Sequence, residues 1–506
     1  MNYTKKLNQV LEVMKLKIKN FKWLAGRPVV VLHKDTAKKM NVFQNDRICL
    51  RNSHKFYAVV DIFTKLVKVG EIGLSSEVTK VFRKKDGFIL DVTVGEMSSA
   101  TKLIKKKIDG EELNAKELEI IIDQIVRNNL TEAEIAYFAS AQKMMGMTLA
   151  ESINLTKAMV KTGARLNFGR KKVIDKHCIG GVAGNRTTPI VVSICVAIGL
   201  TFPKTSSRAI TSAAGTADVI ETISNVELKL KDLHSIVNKT GGCLAWGGSL
   251  RLAPSDDKII QVERLINLDI ESQLLASIIS KKIAAGGKYI LIDIPYGEGS
   301  KIASFSKAKK LGRKFKQIAK SFDIKLNVVY SDGRQPVGDG IGPVLEMYDV
   351  LSVLKNEEGA PCDLKTKSLF LASKLLKMAG VKKAKQKALE VLESGEAFDK
   401  FKEIINAQNG GKDTFDKKIK NLRLAQFKTI VKAKRSGNII KISNKKINHL
   451  CRILGTPETM GAGVYLERHL GKVKKGDILL RMYSENKNKL EQAKRYFVKE
   501  ELMKIK

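Results

Sequence analysis

The chain has 506 residues, 43% of them hydrophobic, which is enough for about three or four domains with buried cores. Its 91 Lys and Arg residues exceed its 52 Asp and Glu residues, and the formal charge of +39 would suit an anionic ligand. Lysines are spread over every segment and only 6% of residues are aromatic, so we expect no nucleic-acid partner.

The six cysteines form no CxxC pair, and the six histidines have no H-x-x-H or H-E-x-x-H spacing. This pattern predicts free thiols in a reducing cytoplasm and no metal site. The N-terminal residues lack the apolar core of a signal peptide, and no run of 18 apolar residues occurs. We therefore expect a cytoplasmic protein that does not interact with a membrane.

The first half of the chain predicts two different domains. Residues 1–95 contain short runs rich in Val, Ile and aromatic residues (PVVVLH, DRICLRN, FYAVVDIF and FILDVTV), which predict a β-rich, barrel-like domain. Residues 96–170 carry three helix-capping signatures, which predict a small helical domain to which later helical segments contribute. The signatures are Asn114 to Glu117, Thr131 to Glu134 and Thr148 to Glu151.

The second half predicts an α/β domain over residues 171–415 and an α+β domain over 416–506. Buried strands such as KYILIDIP and KLNVVYS alternate with helices such as FSKAKKLGRKFKQIAKSF, which favours a sheet with parallel strands. The stretch GKDTFDKKIKNLR is the best candidate for the linker between these domains. The predicted fold class is multidomain α/β.

A first glycine-rich loop, DKHCIGGVAGN, lies between a short apolar segment and a buried helix. Glycines let backbone N–H groups approach an anion, and the helix N-terminus adds partial positive charge. Lys176 adds a full charge, and Thr187 and Thr188 add hydroxyls in the first helical turn. The loop predicts phosphate binding, with a purely structural turn as the alternative.

Two further clusters carry polar side chains. PKTSSRAITSAAGTAD combines several hydroxyls with Lys204 and Arg208, a composition that favours an oxyanion over the alternative of a serine-rich surface loop. Ser277 and Lys281 are four residues apart and so share one helix face, where they could hold the polar edge of a base or a sugar.

Four motifs in order, DKHCIGGVAGN, PKTSSRAITSAAGTADVIE, LASIISKK and DGRQPVGDGIGPVLE, resemble the thymidine and pyrimidine-nucleoside phosphorylases. The extra β-rich segment and the wording SSRAITSAAGTAD are closer to the AMP phosphorylase branch. The resemblance implies a helical domain joined to an α/β domain, with the active site in the cleft between them. It also implies inorganic phosphate as co-substrate, no cofactor, and a homodimer or larger homo-oligomer.

The resemblance implies roles for individual residues as well. Phosphate ligands would be Lys176, Ser206 and Thr216, with Thr188 added for its hydroxyl at the helix start. Asp269 matches the proton donor of the AMP branch, and His177 matches a residue near the sugar and base. The remaining substrate contacts would be Gly181, Ser207, Arg208, Ala209, Ile210, Thr211, Ser212, Thr216, Ser277, Lys281 and Lys301.

Two departures bear on the substrate. Cys178 stands where the family usually has serine, and a thiol is a poorer hydrogen-bond donor. The arginine that binds a pyrimidine carbonyl in thymidine phosphorylases has no clean counterpart in this sequence. This difference favours AMP as the substrate, with adenine and ribose 1,5-bisphosphate as products. The alternative is a thymidine or pyrimidine-nucleoside phosphorylase that releases the free base and (deoxy)ribose 1-phosphate. Phosphoribosyl transfer is disfavoured, because the loops are hydroxyl-rich and basic rather than acidic.

Overall fold

The computed structural model describes residues 13–52, 55–95, 98–209, 212–411 and 413–506. These residues divide into two compact units. The first lies within Met1–Thr162 and Pro254–Ser277, and the second within Gly163–Ala253 and Ile278–Lys506. None of the helices in the described residues combines the length and the hydrophobicity needed to cross a membrane.

The N-terminal part of the first unit is a closed β-barrel with strand order β1-β5-β2-β4-β3-β6. Its elements are β1 (Met14–Asn20), β2 (Val29–His33), α1 (Lys34–Met40), β3 (Arg47–Arg51), β4 (Lys55–Phe63), β5 (Glu71–Leu74), α2 (Ser76–Phe82) and β6 (Ile89–Val94). The four predicted runs are strands, whereas β1 and β5 were not predicted. β5 has only four residues, and in β1 lysines alternate with the buried Leu16 and Ile18.

Helices form the rest of the first unit. They are α3 (Ser99–Ile108), α4 (Ala115–Val126), α5 (Glu132–Met145), α6 (Leu149–Thr162), α10 (Pro254–Leu265) and the first part of α11 (Glu271–Ala284). All three predicted capping boxes are present, each with its reciprocal side-chain and backbone hydrogen bonds. Four apolar residues of α4, Leu118, Ile121, Ile122 and Ile125, form a fully buried stripe, because they recur at helical spacing.

The second unit contains a parallel sheet with helices packed on it. Its elements are β7 (Ile174–Cys178), α7 (Thr187–Ala197), β8 (Phe202–Ser206), α8 (Thr216–Glu221), α9 (Leu230–Thr240), β9 (Gly242–Trp246), a short 3-10 helix (Gly247–Ser249), β10 (Tyr289–Tyr296), α12 (Phe305–Lys320) and β11 (Lys325–Asp332). Strands β11-β10-β7 pair in that order, β8 pairs with β9, and a bridge between Val173 and Thr201 brings β7 beside β8.

Five more helices cover this sheet: α13 (Pro343–Leu354), α14 (Cys362–Met378), α15 (Ala384–Glu393), α16 (Glu396–Gln408) and α17 (Phe415–Lys420). Helix α17 lies inside the segment predicted as a linker. Thr414 caps it, and Phe415 is fully buried in the α/β core, so this segment is part of the packed fold.

The C-terminal part of the second unit has two small antiparallel sheets, ordered β12-β15-β17-β13 and β16-β14-β18. Its elements are β12 (Gly340–Ile341), β13 (Phe427–Lys432), β14 (Gly437–Ile442), α18 (Asn444–Leu454), β15 (Gly463–Leu466), β16 (Gly471–Val473), β17 (Ile478–Ser484), α19 (Lys487–Glu500) and β18 (Met503–Ile505). Helix α18 packs with Ala183 and Ala213, which come from the loops that follow β7 and β8. The multidomain α/β class predicted from the sequence is confirmed.

Candidate active site

Two glycine-containing loops leave the carboxyl edge of adjacent parallel strands. The first loop (residues 179–186) joins β7 to α7, and the second loop (residues 207–215) joins β8 to α8. Because β7 and β8 are neighbours, both loops emerge at the same edge of the sheet. The chain continues to β8 on one side of β7 and later to β10 on the other. Ligands of α/β sheets typically bind at such a reversal of strand order.

Arg186, at the end of the first loop, connects it to the second. Its guanidinium donates hydrogen bonds to the Thr216 hydroxyl at 2.6 Å and to the Ala214 carbonyl at 3.0 Å. It also forms a buried ion pair with Glu346 at 2.6 Å, which fixes its orientation. Because Thr216 accepts from Arg186, its own hydroxyl proton is available to donate to a ligand. The two predicted phosphate loops therefore do lie together.

Lys176 is buried in the middle of β7, and its side chain contacts the first turn of α7. Its ammonium donates to the hydroxyl oxygen of Thr187 at 2.6 Å and lies 3.4 Å from that of Thr188. Since both hydroxyls face a cation that can only donate, their protons can point to an anion instead. Burial lowers the pKa of Lys176, because an uncompensated charge is costly away from water. An anionic ligand would offset that cost.

A buried charge cluster supports β7 beside Lys176. Asp175 forms ion pairs with Lys204 at 3.2 Å and Lys282 at 2.9 Å, and Lys204 also donates to the Lys176 carbonyl at 2.8 Å. Burial and then the nearby Lys282 and Lys204 lower the pKa of His177 well below its ordinary value. His177 is therefore a neutral imidazole at pH 7, able to accept or donate one hydrogen bond but not to add charge.

The side-chain hydroxyl of Ser206 is suited to bind a ligand. Its Oγ atom is buried and has no hydrogen-bond partner among the residues that the structure describes. Buried hydroxyls are normally paired, because an unmade hydrogen bond costs about 1–3 kcal/mol. Ser206 ends β8, at the edge from which both loops emerge. The hydroxyl is therefore suited to complete its bonding on a bound oxyanion.

The second loop is closed by the first turn of α8. Asp218 accepts hydrogen bonds from the backbone N–H groups of Ala209 and Gly215, both at 2.7 Å. A side chain at Gly215 would collide with the Ser207 carbonyl at 2.5 Å, so this close approach requires glycine. Arg208, predicted as a substrate contact, is ion-paired with Glu221 and Glu227 and stacks over Trp246. Its guanidinium is thus held by carboxylates.

The first loop also approaches the segment that follows β10. Gly181 has a φ of +90°, and a Cβ there would lie 2.3 Å from the backbone nitrogen of Lys301. Glycine is required at this position, and it places Lys301 beside the first loop. Cys178 accepts a hydrogen bond from Asn185 at 3.5 Å, and burial raises the pKa of its thiol. The thiol is therefore protonated at pH 7.

In the first unit, Ser277 lies on α11 and donates a 2.8 Å hydrogen bond to the buried Asp256. Gln273 donates to the other Asp256 oxygen at 2.9 Å. Lys281 follows one turn later on the same helix. Asp269 precedes the helix and is exposed, and its carbonyl accepts a hydrogen bond from Lys143 at 2.8 Å. The next residue, Ile270, is buried.

Three predicted substrate contacts, Ile210, Thr211 and Ser212, are consecutive residues of the second loop. Ile210 and Thr211 lie outside the described residues. Ser212 donates to the Ala214 carbonyl at 3.0 Å and so stabilises the second loop. Within the described part of the chain, no group of three or more His, Cys, Asp or Glu side chains is arranged to hold a metal ion.

Four residues of the site were not predicted from the sequence: Arg186, Asp218, Asp256 and Lys282. Asp218 could have been recognised, since it stands three residues after the cap position of Gly215, as in a capping box. The other contacts join residues that lie far apart in the chain or depend on strand order, which local patterns do not reveal.

Comparison with known proteins agrees with this architecture. Residues 101–163 match the model of the glycosyl transferase family helical bundle domain, and residues 170–275 match that of its a/b domain. The chain is 40% identical to the AMP phosphorylases of Pyrococcus furiosus and Thermococcus kodakarensis, over 95% of this chain and 95% of each relative. The chain belongs to the AMP phosphorylase family.

The family assignment extends across diverse relatives. An AMP phosphorylase of Natronomonas pharaonis is 37% identical over 95% of both chains. Among solved structures, anthranilate phosphoribosyltransferase from Thermus thermophilus superposes with a TM-score of 0.51 at 18% identity. It covers 60% of this chain and 98% of its own length, which shows a shared fold and no more. The chain is thus a pentosyltransferase of the AMP phosphorylase type.

Proposed function

We propose that this enzyme cleaves AMP with inorganic phosphate and releases adenine and ribose 1,5-bisphosphate. A phosphate oxygen forms a bond to the anomeric carbon of the ribose while the glycosidic bond to adenine breaks. The electron pair of that bond leaves with the base, and an acid supplies the proton that neutralises it. Family membership supports this reaction, and the paired loops at the carboxyl edge of β7 and β8 support phosphate as the nucleophile.

The observation that carries the proposal is the meeting of the two loops through Arg186 and Thr216. Lys176 supplies positive charge, while the hydroxyls of Thr188, Thr216 and the buried Ser206 supply donors for phosphate oxygens. Phosphate is a weak nucleophile, so holding it in place lowers the barrier mainly through positioning, by several kcal/mol. Such fixed donors need no rearrangement during the reaction.

Proton donation to the departing base is assigned to Asp269, and this role rests on the family resemblance. General acid catalysis typically contributes about 10² to 10⁴ in rate. Substrate contacts are assigned to Gly181, His177, Lys301, Ser277 and Lys281. The segment from Ser207 to Ser212 is also assigned to substrate binding. A direct contact of Arg208 with AMP would require it to leave its ion pairs with Glu221 and Glu227.

The proposal also covers the cofactor requirement, the cellular compartment and the oligomeric state of the enzyme. We infer that the enzyme uses no metal or organic cofactor, works in the cytoplasm and forms a homodimer or larger homo-oligomer. The six free cysteines support a reducing compartment. Activity that persists in excess EDTA, and light scattering that gives more than one chain per particle, are the expected results.

The deciding experiment measures product formation from AMP, CMP, UMP, adenosine and thymidine, each with and without phosphate. We expect phosphate-dependent release of adenine from AMP, together with ribose 1,5-bisphosphate identified by mass spectrometry. Faster phosphorolysis of thymidine than of AMP would contradict the proposal and favour the nucleoside phosphorylase alternative. Cleavage of AMP at the same rate without phosphate would exclude a phosphorylase altogether.

A further inference from the structure

Helix α18 of the C-terminal domain contacts the predicted phosphate loops through two buried asparagines. Asn444 and Asn448 are one helical turn apart and therefore lie on one face of α18. Asn444 is fully buried, and Asn448 is 7% exposed. The helix begins at Asn444 because Ser443 caps it, accepting from the Lys446 backbone N–H at 3.4 Å. The cap fixes the position at which the first asparagine meets the loops.

The side-chain amide of Asn444 forms hydrogen bonds through both its oxygen and its nitrogen. Its oxygen accepts a hydrogen bond from the backbone N–H of Ala183, in the first loop, at 2.9 Å. Its nitrogen donates to the carbonyl of Gly333, in the loop that follows β11, also at 2.9 Å. These two loops also pair with each other, since the Asn185 N–H donates to the Val337 carbonyl at 2.7 Å. Asn444 thus holds two paired loops at once.

Asn448 performs the equivalent task for the second loop. Its side-chain oxygen accepts a hydrogen bond from the backbone N–H of Ala213 at 2.9 Å. Ala213 lies between Ser212 and Thr216, in the stretch predicted to contact phosphate and AMP. Both Ala183 and Ala213 are buried in the C-terminal core beside Ile447 and Cys451. A single rigid helix therefore fixes both loops.

We propose that Asn444 and Asn448 are positioning residues that set the spacing of the two phosphate-binding loops. This inference rests on the proposed function, because it assigns these loops to inorganic phosphate. The backbone N–H groups of Ala183 and Ala213 donate to α18, so they are not available to the anion. The effect of the two asparagines on phosphate passes through the loops, where Lys176, Ser206 and Thr216 must converge on one tetrahedral ligand.

The test measures binding of inorganic phosphate without AMP, by calorimetric titration of Asn444→Ala and Asn448→Ala. Loss of two buried hydrogen bonds in Asn444→Ala should weaken phosphate binding by about tenfold, and loss of one in Asn448→Ala by about fivefold. With AMP, the KM for phosphate should rise more than kcat falls. Asn488→Ala, an exposed asparagine in the first turn of α19, serves as the matched control and should bind phosphate like the wild type.

The outcomes separate positioning from mere stability. Thermal unfolding and circular dichroism establish which variants are folded at the assay temperature. If Asn444→Ala does not fold, Asn448→Ala carries the test, because it removes only one hydrogen bond. Phosphate affinities within twofold of wild type in the folded variants, even with lowered melting temperatures, overturn the proposal. A wild type that binds no phosphate would refute the proposed function itself, whereas unchanged variants of a phosphate-binding wild type refute only this inference.

Discussion

The two phosphate loops and the Asp269 segment are built in contrasting ways. In the loops and in the strand and helix ends beside them, charged and polar groups are buried and mutually oriented, as when Lys176 contacts Thr187 and Arg186 contacts Thr216. Asp269 instead lies exposed in a connection between two helices, held by its backbone carbonyl to Lys143. The anion site therefore has several donors already in place within its own unit.

This contrast indicates how each region can act. Preorganised donors bind an anion without rearrangement, so their removal should be seen already in phosphate affinity. If Asp269 is the acid, its contribution should be seen in the chemical step and should leave phosphate affinity unchanged.

The largest effect is expected for Asp269→Asn. An amide cannot supply the proton, so we expect kcat for AMP phosphorolysis to fall by about 10² to 10⁴, with the phosphate dissociation constant unchanged. Steady-state kinetics and calorimetry give the two quantities. Asp109→Asn, also exposed, should retain full turnover. Normal turnover of the Asp269 variant would remove the acid role.

Next in size is the effect of Arg186→Ala on stability. It leaves the buried Glu346 without its partner, and breaking such a pair typically costs about 3–5 kcal/mol. Denaturant unfolding should show a loss of this order. In the double variant Arg186→Ala/Glu346→Gln, which has no orphan charge, part of the loss should be recovered. A single variant as stable as the wild type would mean that Arg186 does not connect the loops.

A smaller change is expected for Lys176→Ala. Loss of a charged donor to phosphate should raise the apparent KM for phosphate by about 10- to 100-fold. Lys171→Ala is the control, because that lysine precedes the opposite end of β7 and is exposed. An unchanged KM for phosphate in Lys176→Ala would contradict the proposed anion site.

The smallest effect, and the most specific, is expected for Ser206→Ala. Phosphate affinity should fall by about tenfold while the free energy of unfolding stays equal or rises, because the buried hydroxyl has no hydrogen-bond partner in the part of the chain that the structure describes. Ser249→Ala should instead lower the free energy of unfolding and leave phosphate affinity unchanged, since that hydroxyl is hydrogen-bonded to the carbonyls of Trp246 and Leu228. A destabilised Ser206 variant with normal affinity would show that the hydroxyl serves the fold.

Local patterns allowed much of this molecule to be predicted. The capping boxes, the buried stripe of α4 and the glycine turns after β7 and β8 depend on residues a few positions apart, so periodicity reveals them. The segment around α17 was misread as a linker, because its lysines and glycines obscure two apolar residues, Phe415 and Leu422, that are buried in the core.

Local patterns were sufficient to identify the residues that could bind an anion: two glycine loops with Lys176, Ser206 and Thr216, each followed by a helix start. The folded chain adds that these loops are neighbours, that Arg186 joins them, and that Asn444 and Asn448 hold both from a distant helix. These contacts escape local patterns because the packing of strands and helices brings together residues 28 to 261 positions apart, such as Arg186 with Ala214 and Ala183 with Asn444. No local propensity specifies such pairings, which arise when the whole chain buries its apolar surface.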